Sequence, residues 1–199
     1  METIPLFPLH TVLVPHGRLA LQVFEPRYLD LVSRCLKQEH NGGFGVVWLR
    51  EGSEVHSEDT ESDTRLAQLG TFASIVDWDA LPNRRLGLVI EGGKKFRLIS
   101  SCQQSDHLHM AEVQWIEDEP IIPLPEQSED LKVLLSQLLE HPHIERLKLS
   151  PEVQDISSLS FLLTQLLPFP EAIKFELLGL SDPLERLQVL MDMLDEISG

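Results

Sequence analysis

Ile4-Pro5-Leu6-Phe7-Pro8-Leu9 and, after one more apolar run, Leu19-Ala20-Leu21-Gln22-Val23-Phe24-Glu25-Pro26-Arg27-Tyr28 decide how this chain is read. Ile4–Phe7 is a short apolar run closed by Pro8, and Thr11–Val14 is a second, closed by Pro15. Leu19–Phe24 is strand-like. Pro26 then suits a first helical turn, where its missing N–H costs nothing. Tyr28, Leu31, Val32, Cys35 and Leu36 recur at helical spacing, and Asn41-Gly42-Gly43 breaks the pattern. Strand, strand, strand and one helix is thus the expected opening.

Strand signals continue outward from there. Phe44–Leu49 reads as a buried strand and Leu69–Trp78 as another, while residues 51–65 are acidic, polar and aperiodic, a mobile loop by expectation. Leu81-Pro82-Asn83-Arg84-Arg85 is a turn. Leu86–Glu91 and Lys95–Ser100 flank Gly92-Gly93 as the arms of a hairpin would. His109–Glu117 is the last strand. Pro120, Pro123 and Pro125 mark a connector. Beyond it the apolar period is helical. Leu131, Leu134, Leu135, Leu138 and Leu139 mark one helix, and Ile156, Leu159, Leu162, Leu163 and Leu166 a second. Pro170–Leu178 is a third, with Gly179 as its C-cap. Asp182-Pro183 with Glu185 starts a fourth, whose buried stripe is expected at Leu184, Leu187, Leu190, Met191 and Leu194. The domain reading is a β-rich half over 1–118, a connector over 119–127 and a helical half over 128–199. The last is short for an independent core and is expected to pack on the first.

A hydrophobic content of 42% supports a packed core, and a formal charge of −16 opposes binding to phosphate backbones. No apolar run approaches the ~20 residues that span a bilayer, and no signal peptide is evident. Cys35 and Cys102 have no zinc spacing and read as free thiols of a reducing, cytoplasmic compartment.

Candidate chemistry is sparse. Asn41-Gly42-Gly43-Phe44-Gly45 lacks the spacing of a nucleotide loop and precedes a strand, and no GxxxxGK[ST] occurs. His107/His109 and His141/His143 are HxH pairs without an evident third ligand, so no metal is expected. No GxSxG or SxxK occurs, so no catalytic residue and no cofactor are assigned. Glu25 and Arg27 read as an anchor at a helix start or as a partner contact. Arg84, Arg85, Lys94, Lys95 and Arg97 are the one basic concentration: solvated turns, or a local contact for an acidic ligand or RNA backbone.

The Pro-Leu-Phe-Pro-Leu opening and Phe-Glu-Pro-Arg-Tyr segment resemble the start of the Lon protease N-terminal (substrate-binding) domain family. The resemblance continues through Phe44-Gly45-Val46-Val47, Gly70-Thr71 with Ile75, Gly92 with Lys95-Phe96-Arg97, Ala111-Glu112-Val113, Leu166-Leu167-Pro168, Lys174–Leu178 and Glu185-Arg186-Leu187. Four positions depart from it. Val14 replaces the usual Phe, His16 and Arg84 stand where Gly is common, and Lys95 replaces Arg.

The resemblance implies an α+β fold: a PUA-like β-barrel with one inserted helix, followed by a C-terminal α-helical bundle. It implies a stand-alone, non-enzymatic module that binds unfolded or extended protein segments, an adaptor in proteolysis or protein quality control with a protease or chaperone as partner. RNA or small-ligand binding by a PUA-like protein is the alternative. An apolar groove between barrel and bundle is the expected peptide site, with Phe24, Arg27, Tyr28, Phe96 and Arg97 near it.

Overall fold

The computed structural model describes residues 1–37, 42–51, 65–125, 128–149, 151 and 153–198. The expected acidic loop falls almost wholly outside them, as does Asn41. Six strands precede five of the six helices: β1 (Glu2–Leu9), β2 (Arg18–Val23), α1 (Pro26–Lys37), β3 (Phe44–Glu51), β4 (Arg65–Leu81), β5 (Arg85–Gln103), β6 (His109–Trp115), α2 (Glu129–Leu139), α3 (Pro142–Glu145), α4 (Ile156–Leu166), α5 (Glu171–Gly179) and α6 (Pro183–Ser198). The fold is mixed α+β.

The strands form one sheet in the order β2-β5-β4-β3-β1-β6, and β6 pairs again with β5. The ring of pairings therefore closes through β5, whose first half carries β2 and whose second half carries β6. Because β2 hangs outside the ring, this is not a clean barrel. β1 runs parallel to β3 from Leu6↔Gly45 to Leu9↔Trp48 and antiparallel to β6 from Glu2↔Val113 to Leu6↔His109. It continues through Pro8 rather than stopping there. Beyond Leu6 no described strand pairs with its other edge, where the missing N–H of Pro8 costs the sheet nothing.

Gly92-Gly93 is not a hairpin. β5 passes straight through both residues, and neither has a left-handed φ. The turn lies at Pro82–Arg84, where Asn83 and Arg84 have φ of 63° and 57°. What Gly92 provides is room. A Cβ there would sit 2.1 Å from the Val14 carbonyl oxygen. The backbone of residues 14–17 lies directly on β5, with His16 N–H donating to Gly92 O (2.8 Å) and Gly92 N–H donating to Gly17 O (2.9 Å). His16, like Arg84, is left-handed at φ 63°.

One core joins α1 to the sheet: Tyr28, Leu31, Val32 and Cys35 pack with Phe7, Val46, Leu88 and Ile90. A second lies inside the ring, with Ile4, Leu6, Val47, Phe96, Ala111 and Val113. The helices build a third around α4, which is buried on nearly every side, its Ser158, Ser160 and Thr164 hydroxyls donating to the carbonyls of Asp155, Ser157 and Ser160. Asp155 caps α4 by accepting from Ser158 N–H at 2.8 Å. Asp182 accepts from Leu184 N–H at 2.9 Å at the start of α6. Gly179 is the last residue of α5, and Leu180 takes the cap position.

The expected stripe of α6 is half right. Leu187 and Leu190 are buried, but Leu184 is 50% exposed and Met191 39%. Arg186 takes the inward position instead, with none of its surface exposed.

Thr11–Val14 is not a strand but a buried connection between the halves. Val12 and Val14 pack with Phe161 of α4 and Leu178 of α5. Val14 N–H donates to Gln165 Oε1 (3.1 Å), and Gln165 Nε2 returns a bond to Val12 O (3.2 Å).

Candidate binding surface

The same junction holds a buried ionic network. Glu119, between β6 and α2, receives both terminal nitrogens of Arg186, Lys95 Nζ (2.7 Å) and Ser157 Oγ (2.6 Å). Arg186 also donates to the carbonyls of Leu177 (3.1 Å) and Leu180 (2.8 Å) and lies over the Phe161 ring at 3.6 Å. It thereby ties down the end of α5, where Leu177 O also accepts the Leu180 N–H at 3.3 Å. Burial pulls Lys95 below the usual lysine range, against the pull of Glu119. Much of the space expected to form an apolar groove between the halves is filled by Val12, Val14, Phe161 and Leu178. A hollow of about 340 Å3 remains there, lined by Pro15, Ile121 and Phe161 and by Lys95, Glu119 and Ser157 of the network.

The five residues expected at the site are dispersed. Phe24, Arg27 and Tyr28 come together at the junction of β2 and α1. Phe24 is 51% exposed. Tyr28 is buried, stacked on Phe7 with ring centroids 4.0 Å apart. Arg27 is also buried. It pairs with Glu25 at 3.0 Å, donates to His107 O at 2.6 Å and lies 4.5 Å over the Tyr28 ring. Phe96 is wholly inside the ring, its edge against Trp115 and its tip over Gly45 and Gly70. A Cβ at Gly70 would approach Phe96 Cζ to 2.5 Å, so these glycines exist to seat that ring. Arg97 is exposed on β5, away from the other three.

Nor do the basic residues converge. β5 is one strand, so Arg84 and Lys95 are on the order of 30 Å apart along it. Lys95 points into the ionic network, and Lys94 lies 3.6 Å from Asp118.

Two concavities adjoin α1. A depression of about 160 Å3 lies beside β2, floored by Phe7, Leu9 and Tyr28 and flanked by Leu21 and Phe24. A wider hollow of about 690 Å3 lies between α1 and the β1–β6 pair, lined by Ile4, Leu31, Phe72, Met110 and Trp115 with Arg34 and Lys94 at its polar side. Its Cys35 thiol is pushed up by burial and donates to Gly43 O at 3.6 Å, so it stays protonated and unreactive.

Among the described residues no group of three or more His, Cys, Asp or Glu side chains could hold a metal ion. His109 is held below the usual histidine range by burial and by Arg27, and His141 serves as the N-cap of α3. Among the described residues no helix is long and apolar enough to cross a membrane. The arrangement offers apolar depressions and an open strand edge.

The sequence reading missed the Glu119–Arg186 network, although Arg186 lies four residues before the buried Leu190, on the same face of the helix. It also missed the edge of β2, where uncharged Ala20 and Gln22 were the available sign.

Residues 3–196 match the family model described as the ATP-dependent protease La (LON) substrate-binding domain. Lon protease of Escherichia coli strain K12 is 28% identical over 202 residues, which cover 96% of this chain and 24% of that protein. Lon protease of Brevibacillus choshinensis is 25% identical over 203 residues, with the same coverage of 96% and 24%. This chain thus spans about a quarter of the length of the curated relatives it matches. The crystal structure of a Lon N-terminal domain protein from Xanthomonas campestris is similar at TM-score 0.73 and 30% identity, covering 96% of this chain and 98% of that one. The N-terminal domain of a Mycobacterium avium complex Lon protease shares the fold at TM-score 0.62 and 18% identity. The likeness is to the non-catalytic recognition part of those proteases, and the chain belongs to the Lon substrate-binding domain family.

Proposed function

We propose that this domain holds unfolded or extended protein segments without acting on them chemically, as an adaptor in proteolysis or protein quality control. The observation that carries this reading is the family match over residues 3–196. Phe24 is its contact residue, with Tyr28 and Arg27 as the wall behind it, and the hollow at Ile4, Phe72 and Trp115 receives a further apolar side chain. The net charge of −16 favours neutral or basic segments over acidic ones. The strand half is a PUA-like barrel with β2 as an outlying strand, and it acts with the helical half as one body.

The test is titration with one protein in two forms: native, and reduced and alkylated so that it stays unfolded. The unfolded form is expected to bind saturably and the native form not to. Phe24→Ser is expected to weaken binding by roughly tenfold or more, the loss of about 1.5–3 kcal/mol of buried aromatic surface. Phe24 is half exposed in the free protein, so the fold should be untouched. Equal binding of both forms, or of neither, contradicts the reading.

A further inference from the structure

Among the described residues, β2 has one side unpaired along its whole length. Its ladder to β5 runs without a register shift from Arg18↔Glu91 to Val23↔Leu86. Just before it, Gly92 N–H donates to Gly17 O, which fixes the phase of the ladder. Hydrogen-bonded and non-bonded pairs alternate in antiparallel sheets. Leu19, Leu21 and Val23 therefore bond to β5, while the N–H and C=O of Ala20 and Gln22 point away from it. No described residue bonds to those outward groups, and β5 is the one element lying closely along β2.

Open edges are normally guarded by charge, proline or a bulge, because a row of free donors and acceptors templates another strand. The far end of β4 is guarded in this way: beyond Ala73 it has no partner on the β3 side, and it carries Asp77, Asp79 and a register shift between Ile75 and Asp77. β2 carries no such guard. Its one charge, Arg18, is consumed by Glu91 (2.6 Å) and by the carbonyls of Leu147 (3.2 Å) and Lys148 (2.6 Å). The residues facing outward are exposed, small or uncharged. Beside them lies the depression floored by Phe7, Leu9 and Tyr28.

We propose that β2 is the docking edge for the bound segment, which adds as an extended strand along Ala20 and Gln22 and seats an apolar side chain in the depression next to Phe24. This rests on the reading given under Proposed function and specifies its mode. Backbone pairing reads any sequence able to extend, and the depression selects for an apolar side chain at one alternate position. A second copy of this chain is a poor occupant, since each copy brings a charge of −16 to the contact.

Proline is the discriminating substitution. At Ala20 or Gln22 it removes an outward N–H without breaking a bond to β5, a position that edge strands tolerate. Ala20→Pro and Gln22→Pro are expected to retain the circular dichroism of the parent. They should bind the reduced and alkylated protein roughly tenfold or more weakly, equivalent to one or two lost hydrogen bonds. Gln22→Ala keeps the N–H and is expected to bind like the parent.

Should a proline variant fail to fold, amide exchange in the unmodified protein decides. The Ala20 and Gln22 amides are expected to exchange freely alone and to become protected when the unfolded protein is saturating. Undiminished binding by folded proline variants overturns the proposal, as does saturable binding without protection at β2. Concentration-dependent protection in the free protein also overturns it, by making a second copy the occupant. Failure of the parent to bind the unfolded protein at all defeats the functional reading itself and is distinguishable from these.

Discussion

Glu119→Ala is expected to lower the unfolding free energy by about 3–5 kcal/mol, a large part of the roughly 5–15 kcal/mol available to a domain. The side chain is only 8% exposed, and its removal leaves two cations buried without their carboxylate: Arg186 at 0% exposure and Lys95 at 7%. These groups come from β5, the connector and α6, so the loss falls on the joint between the halves. Replacing the whole set, with Lys95→Met, Glu119→Leu and Arg186→Met, is expected to recover most of the loss, because no unpaired charge remains. Denaturant unfolding measures both. A single-substitution loss below about 1 kcal/mol would show that the network does not hold the joint.

Acid sharpens the same test. Burial pushes the Glu119 carboxyl up, but bonds from Arg186, Lys95 and Ser157 outweigh this and hold it below the usual range. The unfolded carboxyl titrates near about 4.3. The stabilisation is therefore complete above that pH and is lost as pH falls through the folded value. Glu119→Gln should flatten stability against pH in that window and lower it above the window, where the carboxylate otherwise stabilises the fold in full.

Gly92→Ala is the second large effect. The added Cβ would meet Val14 O at 2.1 Å and its carbonyl carbon at 2.9 Å, backbone atoms that no rotamer change can move. Relief requires lifting residues 14–17 off β5, which breaks the bonds of His16 and Gly17 to Gly92 and disturbs Gln165 behind Val14. A loss of about 3 kcal/mol or more is expected, overpacking plus hydrogen bonds. Gly93→Ala is the control. Its nearest contact is Phe72 O at an ordinary 3.5 Å, and it should cost within about 0.5 kcal/mol. A hairpin at this glycine pair would instead make both positions sensitive.

That contrast also shows where sequence reading reached its limit. Helices α1, α2 and α4 were legible because their apolar residues recur at helical spacing. β3 and the Pro82–Arg84 turn were legible from a continuous apolar run and from turn chemistry. Gly92-Gly93 misled because a glycine pair can mean a turn or a close approach, and only the long-range contact with Val14 separates the two. Leu184 and Met191 fit the helical period of α6, yet Arg186 went inside because Glu119, far away in sequence, was there to receive it. Of the candidate site, the closeness of Phe24 and Tyr28 was legible from their place at a helix start. Phe96 is expected beside the peptide groove, but Gly45 and Gly70 make room for its ring in the core. Ala20 and Gln22 show a strand without charge, but strand order, a tertiary property, is what makes β2 an edge.

The account is tested most directly by site-specific photo-crosslinking to the reduced and alkylated protein. A photoreactive phenylalanine analogue would replace Phe24 in one protein and Ile99, an exposed apolar residue on β5, in another. Efficient crosslinking from position 24, with little from position 99, is the predicted result. Equal yields from both positions, or capture from position 99 alone, would contradict the assignment of residues 18–28 as the surface that holds extended protein segments.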